Sequence, residues 1–208
     1  AGPNTVPGLY DPDGYFHGSV NQVLTHASPD EVETEIRAQI QRAIAMGIKP
    51  THIDSHMGTV MQPHYVARYV KVGIEKNIPV MMFGGHMTHI AEQAKGFQPL
   101  VKQLADTLWN AGLPVIDDLV TKPTSADTYP ARKQQLKKLL KELKPGITQV
   151  ILHCSDIGDH FKNFSSSGPA RYAELKLMTD PEIEKLIKDQ NIVLTTWREL
   201  KIRRDKIK

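Results

Sequence analysis

Cysteine is almost missing from this chain of 208 residues: Cys154 is the single thiol. One thiol excludes an intrachain disulfide and any thiolate-based metal centre. It suits a reducing compartment without excluding export, so localisation stays open. Long hydrophobic runs are missing too. The longest, such as 79–85, fall far short of the roughly 20 apolar residues that a bilayer span needs, so no membrane partner is expected. Charge of one sign is scarce: 26 basic against 23 acidic residues leave only +3. Much of that excess sits in 132–144 and 201–208 with no aromatic residue interleaved, so no nucleic-acid partner is expected. No G-x-G-x-x-G follows an apolar segment, which leaves a dinucleotide fold without support. An initiating methionine and a signal-peptide pattern are also lacking, and the chain is expected to be processed or partial.

What remains is an ordinary globular composition, 40% hydrophobic and 24% charged, long enough for one core. A single domain over 1–208 is expected. Residues 1–27 are rich in turn formers, with "GPNTVPG" and "DPDG" breaking short apolar pieces. A repeated unit follows. Ser28-Pro29-Asp30-Glu31 reads as a capping box, Val32, Ile36, Ile40 and Ile44 recur at helical spacing, Gly47 closes the helix, and "IKPTHID" is extended. The same order returns after Pro63, Gln98, Pro130 and Pro181, with "IPVMMF", "LPVID", "ITQVILH" and "IVLTTW" as the extended segments. The stops Gly47, Asn77, Gly112, Gly146 and Asn191 lie 30, 35, 34 and 45 positions apart. That spacing predicts five αβ units around a parallel sheet, either open and doubly wound or part of a (β/α) barrel.

In such folds chemistry gathers where strands end. Here those ends read Asp54-Ser55-His56, Gly84-Gly85-His86, Asp117-Asp118, His153-Cys154-Ser155 and Trp197-Arg198. Strand alternation would place His52, Asp54 and His56 on one face. Imidazole and carboxylate suit a zinc-like ion, with Asp54 as ligand or as the acceptor fixing a histidine tautomer. The plainer alternative is a polar strand end whose histidines cap loop carbonyls. His86 and His89 follow a Gly-Gly turn and suit a pocket wall. Asp117-Asp118 reads as an acid/base pair or, preferably, as caps. His153 ends an apolar run where a general acid could sit. Cys154 lacks an activating partner nearby in the sequence. The glycine- and serine-bearing stretch around 159–175 suits a substrate-facing lid or a linker. Arg171 within it suits a carboxylate partner or a surface salt bridge.

Several blocks together carry a resemblance: "VPGLYDPDGYF", "EVETEIRAQIQRAIAMGIKPTHIDSHMGT", "IPVMM", "ARYAELKLMTDPEI" and "LTTWREL", with the segment ending in His153. In that order along nearly the whole chain they resemble the YdjC-like family, the chito-oligosaccharide deacetylase (ChbG-like) group. The resemblance implies a distorted (β/α) barrel, a divalent ion (zinc or magnesium) and removal of acetyl groups from N-acetylated sugars. It implies His56 as a metal ligand, and His52 and Asp54 in the same motif with a weaker claim to ligation. In the reading adopted, His52 is a metal residue and Asp54 a catalytic one. His153 becomes a candidate general acid, although the family commonly has His-Pro where this chain has His-Cys. Arg171 and Trp197 fall in matching blocks and, with His86, are expected to contact substrate. The family's opening Asp-Asp pair and later G-x-H-L histidine have no counterpart here. The chain therefore resembles the C-terminal two-thirds or so of a deacetylase, a partial barrel with two N-terminal strands expected outside it. A carbohydrate-binding protein without turnover and another barrel metallohydrolase, amidohydrolase-like, remain the alternatives. A homodimer is an open assembly.

Overall fold

The computed structural model describes residues 1–163 and 165–207. Among the described residues, eight α-helices and two short strands give an α/β protein, and the chain divides into two compact units. Unit 1 comprises 1–84, 94–115 and 196–208; unit 2 comprises 85–93 and 116–195.

Unit 1 holds α1 (Val20–His26), α2 (Pro29–Ala45), α3 (Val66–Lys76), α4 (Gln98–Asn110) and α8 (Trp197–Asp205). The capping box that opens α2 is formed: Ser28 accepts the Glu31 N–H, and Glu31 returns to the Ser28 N–H. Against α2 packs α3, whose buried face is Val66, Tyr69, Val70 and Val72. Asn77 ends α3 with φ of 51°, reversing the chain into the buried Val80, Met81 and Met82. Gly73 is required there, because a Cβ would sit 2.0 Å from Val80 Cγ2. Glu33 joins the two helices by pairing with Arg37, Arg68 and Lys71. Burial alone would raise its pKa, but hydrogen bonds from Lys71 and Arg37 bring it to about 2.

Unit 2 is built on β1 (Asp118–Val120) and β2 (Thr148–Val150), parallel, with Leu119 opposite Gln149. Around them lie α5 (Tyr129–Glu142), α6 (Gly168–Met178) and α7 (Pro181–Asp189). Val120, Leu136, Leu139, Leu177 and Ile183 form the core. Asp180 caps α7, and its carboxylate takes both Lys133 and the Tyr129 hydroxyl.

The expected helices are present, but the expected strands are much shorter. Of the five extended segments, "IKPTHID" and "IPVMMF" share one parallel bridge, Ile53 to Val80. Among the described residues only 118–120 and 148–150 form a ladder, and "IVLTTW" forms none, with Val193 and Leu194 exposed at 83% and 75%. A side chain takes a backbone group that a longer ladder would pair: Asp117 Oδ2 accepts the Ile147 N–H at 2.7 Å. Parts of three segments expected to be irregular or extended are instead helical. Ser19 caps α1, α6 occupies part of the supposed lid, and a Thr196/Glu199 capping box starts α8 at Trp197. No described helix is long and apolar enough to cross a membrane.

Candidate active site

A cleft of about 520 Å³ opens in unit 1 beside α1 and α2. One wall is apolar, with Val20 and Val23 of α1 and Ile36, Ile40 and Ala43 of α2. The segment carrying His52, Asp54 and His56 lines the same cleft with all three residues. Its volume falls in the range usual for small-ligand pockets, about 300–1,000 Å³.

The Ile53–Val80 bridge fixes the start of that segment through Ile53 N–H to Pro79 O and Met81 N–H to Ile53 O, both 2.9 Å. Strand alternation does not continue past it. Ser55 leads into a 3-10 turn, His56–Met61, in which Met57 and Gly58 take φ of 55° and 72°. Asp54 and His56 are exposed, whereas His52 is half-buried. The His52 ring stacks on Trp197 with centroids 5.2 Å apart and planes 12° apart, and its Nδ1 lies 3.1 Å from Thr51 Oγ1. Burial lowers the His52 pKa, and the Asp54 charge opposes that in part. Asp54 Oδ1 accepts the Ser55 N–H at 2.6 Å.

This geometry bears on the divalent ion expected from the resemblance. Among the described residues no three His, Cys, Asp or Glu side chains gather closely enough to hold one. His52 is engaged with Trp197, and the positive-φ residues turn the backbone immediately after His56. By themselves, these residues do not fit a complete metal centre.

The other expected residues lie in unit 2. Asp118 is fully buried and accepts His89 Nδ1 at 2.6 Å, together with the backbone N–H groups of His89, Ile90 and Leu119. Burial pushes its pKa up, but these donors outweigh burial and hold it below the usual carboxylate range. His86 Nδ1 lies 3.5 Å from the same carboxylate and 2.9 Å from Thr88 Oγ1. Both aspartates of the 117–118 pair thus serve backbone N–H groups. His153 is exposed, and Glu174 holds its backbone N–H at 2.6 Å. Arg171 Nε donates to Ser167 Oγ at 2.8 Å, within its own helix start. Cys154 is exposed rather than buried; partial desolvation and the Glu174 charge push its thiol pKa up, which disfavours the nucleophilic thiolate.

Sequence reading missed the polar cleft residues His17, Ser19, Glu35 and Gln39. The last two were findable: they sit at i, i+4 on α2, beside the apolar positions that wall the cleft, and Gln39 Nε2 donates to Glu35 Oε1 at 2.8 Å. His17 carries no spacing signal.

Comparison with known proteins agrees with the resemblance. A carbohydrate deacetylase of Thermoanaerobacter pseudethanolicus is 29% identical over 199 residues, covering 96% of this chain and 72% of the relative. A carbohydrate deacetylase of Brevibacillus brevis is 28% identical, covering 94% and 71%. Among solved structures, a protein of Enterococcus faecalis V583 provisionally assigned to cellobiose-phosphate cleavage superposes with a TM-score of 0.74 at 20% identity, over 96% of this chain and 71% of that one. That likeness concerns the fold alone. The family profile described as YdjC-like protein matches residues 1–189, nearly the whole chain, and the chain belongs to the YdjC-like family.

Proposed function

We propose that this protein removes acetyl groups from N-acetylated sugars or oligosaccharides by hydrolysing the amide C–N bond. The observation that carries this reading is the unit 1 cleft: the T-H-I-D-S-H block walls it, in a chain whose relatives are carbohydrate deacetylases. Water adds to the acetamide carbonyl, the C–N bond breaks, acetate leaves and the proton ends on the sugar amine. The apolar wall of α1 and α2 suits the acetyl methyl and the carbon face of a pyranose. Asp54, exposed on the cleft wall, is a carboxylate this chain offers to the attacking water. Neutral His52, stacked on Trp197, suits hydrogen bonding to the substrate.

His153 is proposed as the general acid for the departing amine, and His86, Arg171 and Trp197 as substrate contacts. The distorted barrel and its two further strands belong to the same proposal. So does a zinc or magnesium ion with His56 and His52 among its ligands; the described residues lack a complete donor set, and the roles above stand without it. Its separate test is the metal content of the purified protein, which His56→Ala should lower.

Acetate release from N,N′-diacetylchitobiose tests the activity. Release that falls on the order of 10²-fold in His153→Ala supports the assigned acid. The shortage of metal donors favours one second reading, a carbohydrate-binding protein without turnover. Sugar binding with no acetate formed would establish it.

A further inference from the structure

We propose that His17 is a substrate-binding residue of the unit 1 cleft, pairing through its imidazole with a hydroxyl or acetamide group of the sugar. The inference rests on the substrate class proposed above and names a cleft contact outside the T-H-I-D-S-H block.

The backbone at His17 is well fixed. Asp11 Oδ1 accepts the N–H groups of Asp13 and Tyr15, an antiparallel bridge joins Tyr10 to Phe16, and the His17 N–H donates to Leu9 O at 3.1 Å. The ring is fixed as well. It stacks on His26 with centroids 4.6 Å apart and planes 25° apart, and His26 Nδ1 is itself anchored 2.8 Å from Gln22 O. Yet both His17 ring nitrogens are shielded from water and have no hydrogen-bond partner. The residue nevertheless lines the same cleft as His52, Asp54 and His56.

Folded proteins rarely leave a buried polar atom unpaired, because it loses water and gains nothing in exchange. Here two such atoms lie in one ring. A phenyl ring has nearly the same shape, would stack on His26 in the same way, and would avoid that loss. Packing therefore does not account for an imidazole at this position, whereas a ligand does. Neutral imidazole presents one donor and one acceptor, and a sugar hydroxyl can complement either. The ring can reach it: histidine χ2 is a broad two-fold torsion, and a half-turn about Cβ–Cγ exchanges nitrogen and carbon edges while keeping the ring plane on His26. With Glu35 and Gln39 also in the cleft, polar side chains stand beside an apolar wall, an arrangement suited to a small-molecule site.

Calorimetric titration with N,N′-diacetylchitobiose, paired with thermal unfolding of the free protein, tests this. Wild type should bind. His17→Phe should weaken binding about ten-fold, the loss of one buried hydrogen bond, while the melting temperature of the free protein stays level or rises. His17→Gln, which keeps a donor and an acceptor, should recover part of the affinity. No binding by wild type, equal affinities in wild type and His17→Phe, or a Phe variant whose free form is destabilised would each overturn the proposal. The last outcome marks a packing residue. Sugar that binds with His17 dependence but releases no acetate refutes deacetylation and leaves the role of His17 standing.

Discussion

Two sets of histidines, one in each unit, are treated in opposite ways. In unit 2, His89 is held at 2.6 Å by a fully buried carboxylate that also collects three backbone N–H groups. That arrangement closes the 86–90 turn onto β1 and uses most of the hydrogen-bonding capacity of Asp118. In unit 1, His52 lies flat on Trp197, and His17 lies flat on His26 with both nitrogens unpaired, and both residues line a cleft of about 520 Å³. One set spends its polarity on folding, whereas the other keeps it for something that enters from solvent. A histidine beside an aspartate is the more familiar picture of a reactive group, yet the poorly paired rings are the better candidates for ligand contact.

The sharpest way to break this comparison is to remove one side chain from each set. His56→Ala should lower acetate release on the order of 10²-fold by removing a ligand of the proposed ion, with thermal stability unchanged, because the residue is exposed. Full activity in that variant would remove the T-H-I-D-S-H segment from the chemistry. Asp118→Ala should act the other way. It leaves His89 Nδ1 and the three backbone N–H groups without their acceptor in a buried place, and urea unfolding should show a loss of about 3 kcal/mol. Protein that remains folded should turn over normally. A folded but inactive Asp118→Ala protein would mean that the Asp118–His89 pair takes part in the chemistry rather than only closing the turn.

A smaller effect follows from acidification. The Asp118 pKa is depressed in the folded chain, so the stability it contributes is complete above the ordinary carboxylate pKa near 4 and is lost as pH falls through its lower folded value. Urea midpoints measured from pH 7 downward should decline more steeply below about pH 4 in wild type than in Asp118→Asn. Parallel curves would show that the carboxylate is not the acceptor described.

Helix boundaries were the most legible part of the fold. All five predicted stops, Gly47, Asn77, Gly112, Gly146 and Asn191, adopt positive φ, a conformation that Gly and Asn enter at little cost. Ser28 caps the helix whose start it marked, and Asp180 caps the one expected from Pro181. Strands were less legible, because an apolar run states a preference for burial but does not name its hydrogen-bonding neighbour. "IVLTTW" misled through its β-branched residues, although T-x-x-E at Thr196 to Glu199 already spelled the capping box that makes Trp197 helical. Of the site, the sequence pattern revealed residues with unusual chemistry at regular places, such as His52, Asp54 and His56. It could not reveal His17, whose distinguishing property is an absence of partners that exists only once the chain has folded.

The smallest effect concerns Trp197, which joins the two kinds of evidence in unit 1 because its place was legible and its conformation was not. Its ring supports His52 at the cleft wall with nearly parallel planes. Offset stacking of aromatic rings contributes about 0.5–1.5 kcal/mol beyond the area buried. Trp197→Leu should therefore weaken sugar binding about three- to ten-fold by releasing the His52 ring, and Trp197→Phe, which keeps a flat partner, should weaken it less. The order Trp, Phe, Leu in affinity would mark a residue that positions His52. Leu and Phe variants of equal affinity would mean that shape alone matters at this wall, and His52 would then lose its claim to a set orientation.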